Sequence, residues 1–181
     1  MVSPRHVGLL RGINVGGKHR VPMKELRALF ERNGCADVET YIQSGNVVFR
    51  APPAALAKLA LSLPLAMEKT FGFPIPLVLH SADAMNRIVS ANPFLAAGHP
   101  SDTLHVIFLR DLPDDLAARG LDPERSPGDE FTILGQDVFV RCPNGVAKTK
   151  LTNAWLDSKL KTISTGRNWR TVMTLLELAN R

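Results

Sequence analysis

Two α/β plaits in tandem, an α+β fold, are what this sequence predicts, and three observations predict it. Strand-like and helix-like apolar patterns follow one another in the order β-α-β-β-α-β over residues 6–80. A similar order begins again near residue 103. Two local matches fall at corresponding places in the halves: residues 7–13 (VGLLRGI) against 106–112 (VIFLRDL), and 45–52 (GNVVFRAP) against 135–143 (GQDVFVRCP).

Residues 6–13 (HVGLLRGI) form a short apolar run closed by glycine, a buried strand. A helix follows over 22–33: Pro22 suits its first turn, Met23, Leu26, Leu29 and Phe30 share one face, and Gly34 stops it. Residues 38–44 and 46–50 read as two strands, with Gly45 supplying the positive φ that a type II′ hairpin needs at its first central residue. Pro52-Pro53 opens an Ala/Leu-rich helix that is interrupted or restarted at Pro64 and ends at Gly72, and 75–80 is a fourth strand. The second half gives a strand over 103–110, a short helix over 113–121, a hairpin of 129–134 and 137–142, and a helix over 152–161. A short extended piece at 162–165 and a last helix over 168–179 complete it. Each half is thus a ferredoxin-like unit with an antiparallel sheet. The predicted domains are 1–81 and 102–181, joined by a helix and loop over 82–101.

The chain has 181 residues, 45% hydrophobic and 22% charged, which predicts folding throughout. Residues 1–12 place charge and glycine where a secretory segment needs an unbroken apolar run, and no later stretch reaches the length of a membrane span. Cys35 and Cys142 have neither metal-ligand spacing nor the numbers for a disulfide framework. These features predict a cytoplasmic protein away from membranes, without zinc or another cofactor, as a monomer or small homo-oligomer. Charge is unevenly spread. Residues 1–50 hold eight Lys/Arg against four Asp/Glu and residues 141–181 hold eight against two, whereas 51–140 hold six against eleven. The acidic middle either neutralises the basic ends or leaves them as a positive face.

In the split βαβ order the third strand lies between the first and second. The loop over 11–21 (RGINVGGKHRV) then falls beside Gln43-Ser44-Gly45-Asn46. That loop carries no acid before Glu25, and its glycines let backbone N–H groups approach an anion. The candidate anion-binding residues here are Arg11, Asn14, Gly16, Gly17, Lys18, Gln43, Ser44 and Asn46. The competing reading is that the glycines, Ser44 and Asn46 are turn chemistry. Residues 12–19 approach a P-loop pattern, but His19 stands where Ser or Thr would bind Mg²⁺, and the sheet is predicted antiparallel.

Near the C-terminus, KTKLTNAW and STGRNWRT each place basic residues and a capping Thr or Asn before a tryptophan that enters a helix. Cations at a helix N-terminus oppose the dipole unless an anion sits there too. Lys150, Arg167, Asn168 and Arg170 therefore join the candidate set. Trp155 and Trp169 could stack on bases, but Trp169, Val172, Met173, Leu176 and Ala179 share one stripe, so both tryptophans are read as core. The five histidines make no metal or triad spacing, and His19 alone is a candidate for acid-base work. No catalytic constellation is present in the pattern. The reading is a binding protein for a phosphate-bearing ligand, nucleic acid or nucleotide. The alternatives are an enzyme acting on a small anionic metabolite in a cleft between the plaits, or an interaction module.

LLRGINVGGKHRVPMKELRALF, TYIQSGNVVF, the segment NPF at 92–94 and RNWRTVMTLLELA together resemble the bacterial family known as domain of unknown function 1697. The resemblance spans nearly the whole chain and implies two α/β-plait subdomains in a soluble bacterial protein. It implies no activity, substrate or catalytic residue.

Overall fold

The computed structural model describes residues 3–181, so the part of the leader reading that falls on the first two residues lies outside the described residues. Two four-stranded antiparallel sheets, each with its helices, make up the α+β fold. Two compact units are formed by residues 1–86 with 175–181, and by residues 87–174.

The first unit contains β1 (Arg5–Leu10), α1 (Met23–Arg32), β2 (Ala36–Tyr41), β3 (Asn46–Arg50), α2 (Leu56–Phe71) and β4 (Leu77–Ser81), with sheet order β2-β3-β1-β4. Its core sets Leu10, Val47, Phe49 and Leu77 of the sheet against Leu26, Leu29 and Phe30 of α1 and Leu59, Leu63 and Met67 of α2. Phe30 and Phe49 meet edge to face at 5.4 Å. The helix α2 runs unbroken through Pro64, which corrects the expected interruption. Leu59, Leu63 and Met67 are buried on its one face, and that packing outweighs the lost backbone bond. Gly72, at φ 81°, ends the helix as expected.

The opening hairpin also differs from its expected form. Tyr41 pairs with Asn46, so residues 42–45 make a four-residue loop rather than a two-residue type II′ turn. Asn46 belongs to β3, where it is buried and pairs with Leu9 as well. The second strand accordingly ends at Tyr41, three residues before the expected end.

Helix α3 (Ala82–Ser90) and the single turn α4 (Pro93–Ala96) follow. The second unit then repeats the plan with β5 (Leu104–Leu109), α5 (Asp115–Arg119), β6 (Glu130–Leu134), β7 (Asp137–Arg141), α6 (Asn153–Leu160) and β8 (Ser164–Asn168), in order β6-β7-β5-β8. The extended piece expected at 162–165 is thus a full strand that pairs with β5 and closes the sheet. Helix α7 (Trp169–Ala179) buries Trp169, Val172, Leu175, Leu178 and Ala179, while Met173 is exposed and Leu176 half-buried. Trp155 is half-buried, edge to face on Phe131, with the Arg125 guanidinium over its ring.

Backbone bonds fix the internal correspondence. Leu10 N–H donates to Gly45 O and Leu109 N–H to Gln136 O; Arg11 N–H donates to Pro76 O and Arg110 N–H to Ile163 O. Hence His6 matches His105, Gly8 matches Ile107, Asn46 matches Asp137 and Leu79 matches Gly166. The strand match 7–13 with 106–112 keeps its register. In the hairpin, Gly45 corresponds to Gln136 rather than to Gly135.

Candidate functional site

Val15 bridges Lys18, and the two central residues of that tiny hairpin, Gly16 and Gly17, have φ 58° and 74°. Both signs are those of a type I′ turn, which explains the glycine pair as turn chemistry. Asn14 fixes the loop. Its Oδ1 accepts from Val21 N–H at 2.8 Å, and its Nδ2 donates to Val21 O at 3.0 Å and to Gln43 O at 2.9 Å. The loop and the 42–45 turn are therefore neighbours, tied by a side chain whose amide is spent on main-chain groups. Asn46 is similarly engaged, donating to Tyr41 O and Ser44 Oγ. His19 stacks on Phe73 at 4.4 Å and its Nδ1 lies 3.1 Å from Gly12 O, so its ring braces the loop.

Asn14 has φ 54°, a conformation asparagine tolerates better than most residues. Asn14→Ala is expected to cost about 1–3 kcal/mol, because the polar backbone of buried Val21 loses its partner. Urea denaturation measures it, and a loss below ~0.5 kcal/mol would show that the loop holds its form by other means.

Lys18, Gln43 and Ser44 are exposed, and Arg11 is half-buried with its N–H bound to Pro76 O at 3.1 Å. Among the described residues Lys18 enters no ion pair. This hairpin carries the exposed Lys18 on a braced turn.

The second unit offers a concave place. A cavity of about 500 Å³ lies over the helix-bearing face of its sheet, at the end of β8. Its floor is His105 and Ile107 of β5, Val140 of β7, and Gly166 and Asn168 of β8. One wall is the 3-10 turn Val146–Lys148 and the segment 149–153, which contributes Thr149, Leu151, Thr152 and Asn153.

Two helix starts converge here. Thr152 caps α6, its Oγ1 accepting from Trp155 N–H at 3.2 Å, and Asn168 caps α7, its Oδ1 accepting from Thr171 N–H at 2.8 Å. Both caps are those expected from the sequence. The basic segment is pinned from beneath: Ser126 Oγ accepts from Lys150 N–H at 3.0 Å and donates to Asp129 at 2.7 Å. Lys148, Lys150 and Arg170 are exposed and, among the described residues, form no ion pair. Arg167 behaves differently. It is buried, its Nη1 donates to Thr165 Oγ1 and Gly166 O, and burial pushes its guanidinium down to about 10. Burial also lowers His105, opposed by a hydrogen bond to the Thr103 backbone.

Of the anion-binding candidates expected from the sequence, Arg167 and Asn168 line this cavity and Lys150 does not, while His105, Thr149, Asn153 and Gly166 line it without having been candidates. Thr152 was legible as a cap. Gly166 carried no local signal, since its meaning depends on the strand register.

A family model described as protein of unknown function, DUF1697, matches residues 4–139. The chain belongs to that family. The DUF1697 chain also resembles a solved structure, the conserved bacterial protein SP0830 from Streptococcus pneumoniae. The TM-score is 0.72 and the identity 23%, covering 97% of this chain and 98% of that one. At that identity the likeness shows the fold. Comparison with curated proteins finds no match. Among the described residues no helix is long and apolar enough to cross a membrane, and no group of three His, Cys, Asp or Glu side chains could hold a metal ion. Cys35 and Cys142 are buried and free, and burial pushes both thiols up to about 11.

Proposed function

We propose that this protein binds a phosphate-bearing anionic ligand, a nucleotide or nucleic acid, at the basic rim of the second unit's cavity. The observation that supports it most is the meeting of two capped helix starts with the pinned segment 148–152 at one concave place. The first peptide N–H groups of a helix lack intrahelical partners and carry the positive end of the dipole, which favours a phosphate. Lys148, Lys150 and Arg170 add charge nearby and, among the described residues, form no ion pair. Such cations weaken a helix start when it is empty and suit it when an anion is bound.

Lys150 and Arg170 supply charge in this reading, Asn168 shapes the helix start, and Arg167 serves inside the strand. The Lys18 hairpin of the first unit is a second electrostatic element, with Gly16 and Gly17 giving it its turn and Asn14 its brace. Titration calorimetry with inorganic pyrophosphate at low salt tests the reading. Lys150→Ala is expected to weaken binding about tenfold, the loss of one charge-assisted contact. Undetectable binding, or binding that Lys148→Ala and Lys150→Ala together leave unchanged, overturns it.

A further inference from the structure

The two units are built on one plan, so each is a control for the other. In the first, α2 has sixteen residues and starts soon after β3, so its first turns lie over the sheet end at His6. The space there, lined by His6, Pro53, Leu56 and Ser81, is about 280 Å³. In the second, α6 has eight residues, and the chain from Cys142 to its start runs as loop and 3-10 turn at the cavity wall. The floor differs as well. Gly8 of the first sheet sits under Leu79, with Phe30 also in contact range of the place a Cβ would take. The corresponding pair in the second sheet is Ile107 and Gly166, so the strand that carries leucine in one unit carries glycine in the other. A Cβ at Gly166 would meet Ile107 at 3.6 Å and Asn153 Oδ1 at 3.9 Å, ordinary contacts, and its φ is not left-handed. Neither steric crowding nor backbone strain requires glycine there. The large side chain of this pair has moved from the edge strand, Leu79, to the central strand, Ile107, which leaves the backbone of β8 uncovered by a side chain of its own at Gly166.

Resting on the phosphate-binding reading, we infer that the cavity takes a single nucleotide, its base lying over the Gly166 backbone and against the exposed Val146 and Ala147 of the wall. A glycine in a strand lets a ligand, here a planar ring, approach the backbone closely. The polar groups lie around that floor, Thr149, Thr152 and Asn153 on the basic side and Asn168 and His105 at the sheet end. A ligand that uses both parts needs an apolar planar moiety joined to an anion. Phosphate alone leaves the floor bare. A volume of about 500 Å³ is that of a pocket for one small ligand, too little for a run of linked nucleotides.

The test compares a purine nucleoside diphosphate, ribose 5-phosphate, inorganic pyrophosphate and an oligothymidylate by calorimetry on the full chain. The diphosphate is expected to bind at least tenfold tighter than pyrophosphate or ribose 5-phosphate. Gly166→Val, which fills the floor, is expected to remove that advantage and leave pyrophosphate binding intact. Val146→Trp provides a second obstruction from an exposed position on the wall, where folding does not depend on the side chain. It is expected to act the same way. Equal affinity for pyrophosphate and the diphosphate, a diphosphate advantage surviving both substitutions, or binding of the oligonucleotide alone overturns the single-nucleotide inference while the phosphate reading stands. Binding of none of the four overturns both.

Discussion

Gly45→Ala is expected to destabilise the protein by about 2–4 kcal/mol, the sum of a left-handed backbone imposed on a residue with a Cβ and overpacking of a filled core. Gly45 has φ 77°, and a Cβ there would stand 2.6 Å from Leu10 Cβ and 3.0 Å from Ile13 Cδ1. Leu10 Cβ is fixed to its own backbone and cannot swing clear, and Ile13 is buried with little room to turn, so the backbone must shift. The same residue's carbonyl accepts from Leu10 N–H at 2.8 Å, so the shift also strains the bond joining the hairpin loop to the end of β1. Urea or thermal unfolding measures the loss. Gly16→Ala and Gly17→Ala are the comparison, since a Cβ at either meets nothing within 4 Å and only the φ penalty remains. A loss at Gly45 no larger than at those two would refute the steric account.

Asp137→Asn is expected to stabilise the protein at alkaline pH by about 2–4 kcal/mol and to change little near pH 4. Asp137 occupies the position that Asn46 holds in the first sheet, pairing with Phe108 as Asn46 pairs with Leu9. Burial raises its carboxyl to about 7, an effect that the nearby Arg87 charge only partly offsets. A carboxyl with a raised folded pKa is held protonated in the native state while the unfolded chain has already ionised. Its contribution is whole below pH ~4, falls as pH rises toward 7, and is gone above that. Asparagine is neutral throughout and lacks that penalty. His80, pushed by burial down to about 4, acts with the opposite sign: its stability is complete above pH 6.5 and is lost on acidification toward 4. The difference between D137N and the parent, followed by denaturant unfolding from pH 4 to 9, therefore isolates Asp137. A difference that stays flat with pH would refute the buried-carboxyl account.

Local pattern made much of the fold legible. Apolar alternation, helix-stopping glycines and capping residues marked the strands and helices, and the split βαβ rule placed the 11–21 loop beside Gln43, where Asn14 binds its carbonyl. These features need only neighbours in sequence and one topological rule. The course of α2 through Pro64 was not legible in the same way, because its support is the burial of Leu59, Leu63 and Met67 against the sheet. Hairpin loop length escaped too, since Asn46 joins the strand through pairing with Leu9 and Tyr41.

The sequence by itself determined the two plaits, their strand order, and which segments carry cations and caps, because each follows from the chemistry of adjacent residues. Tertiary structure alone decided which candidate groups are already spent and where a hollow remains. Asn14, Asn46 and Arg167 turn inward to their own chain, while the register that sets Gly166 opposite Ile107, and the shortness of α6, open a cavity beside Lys150. Vacant space is a property of how distant segments pack, and no single stretch of residues encodes it.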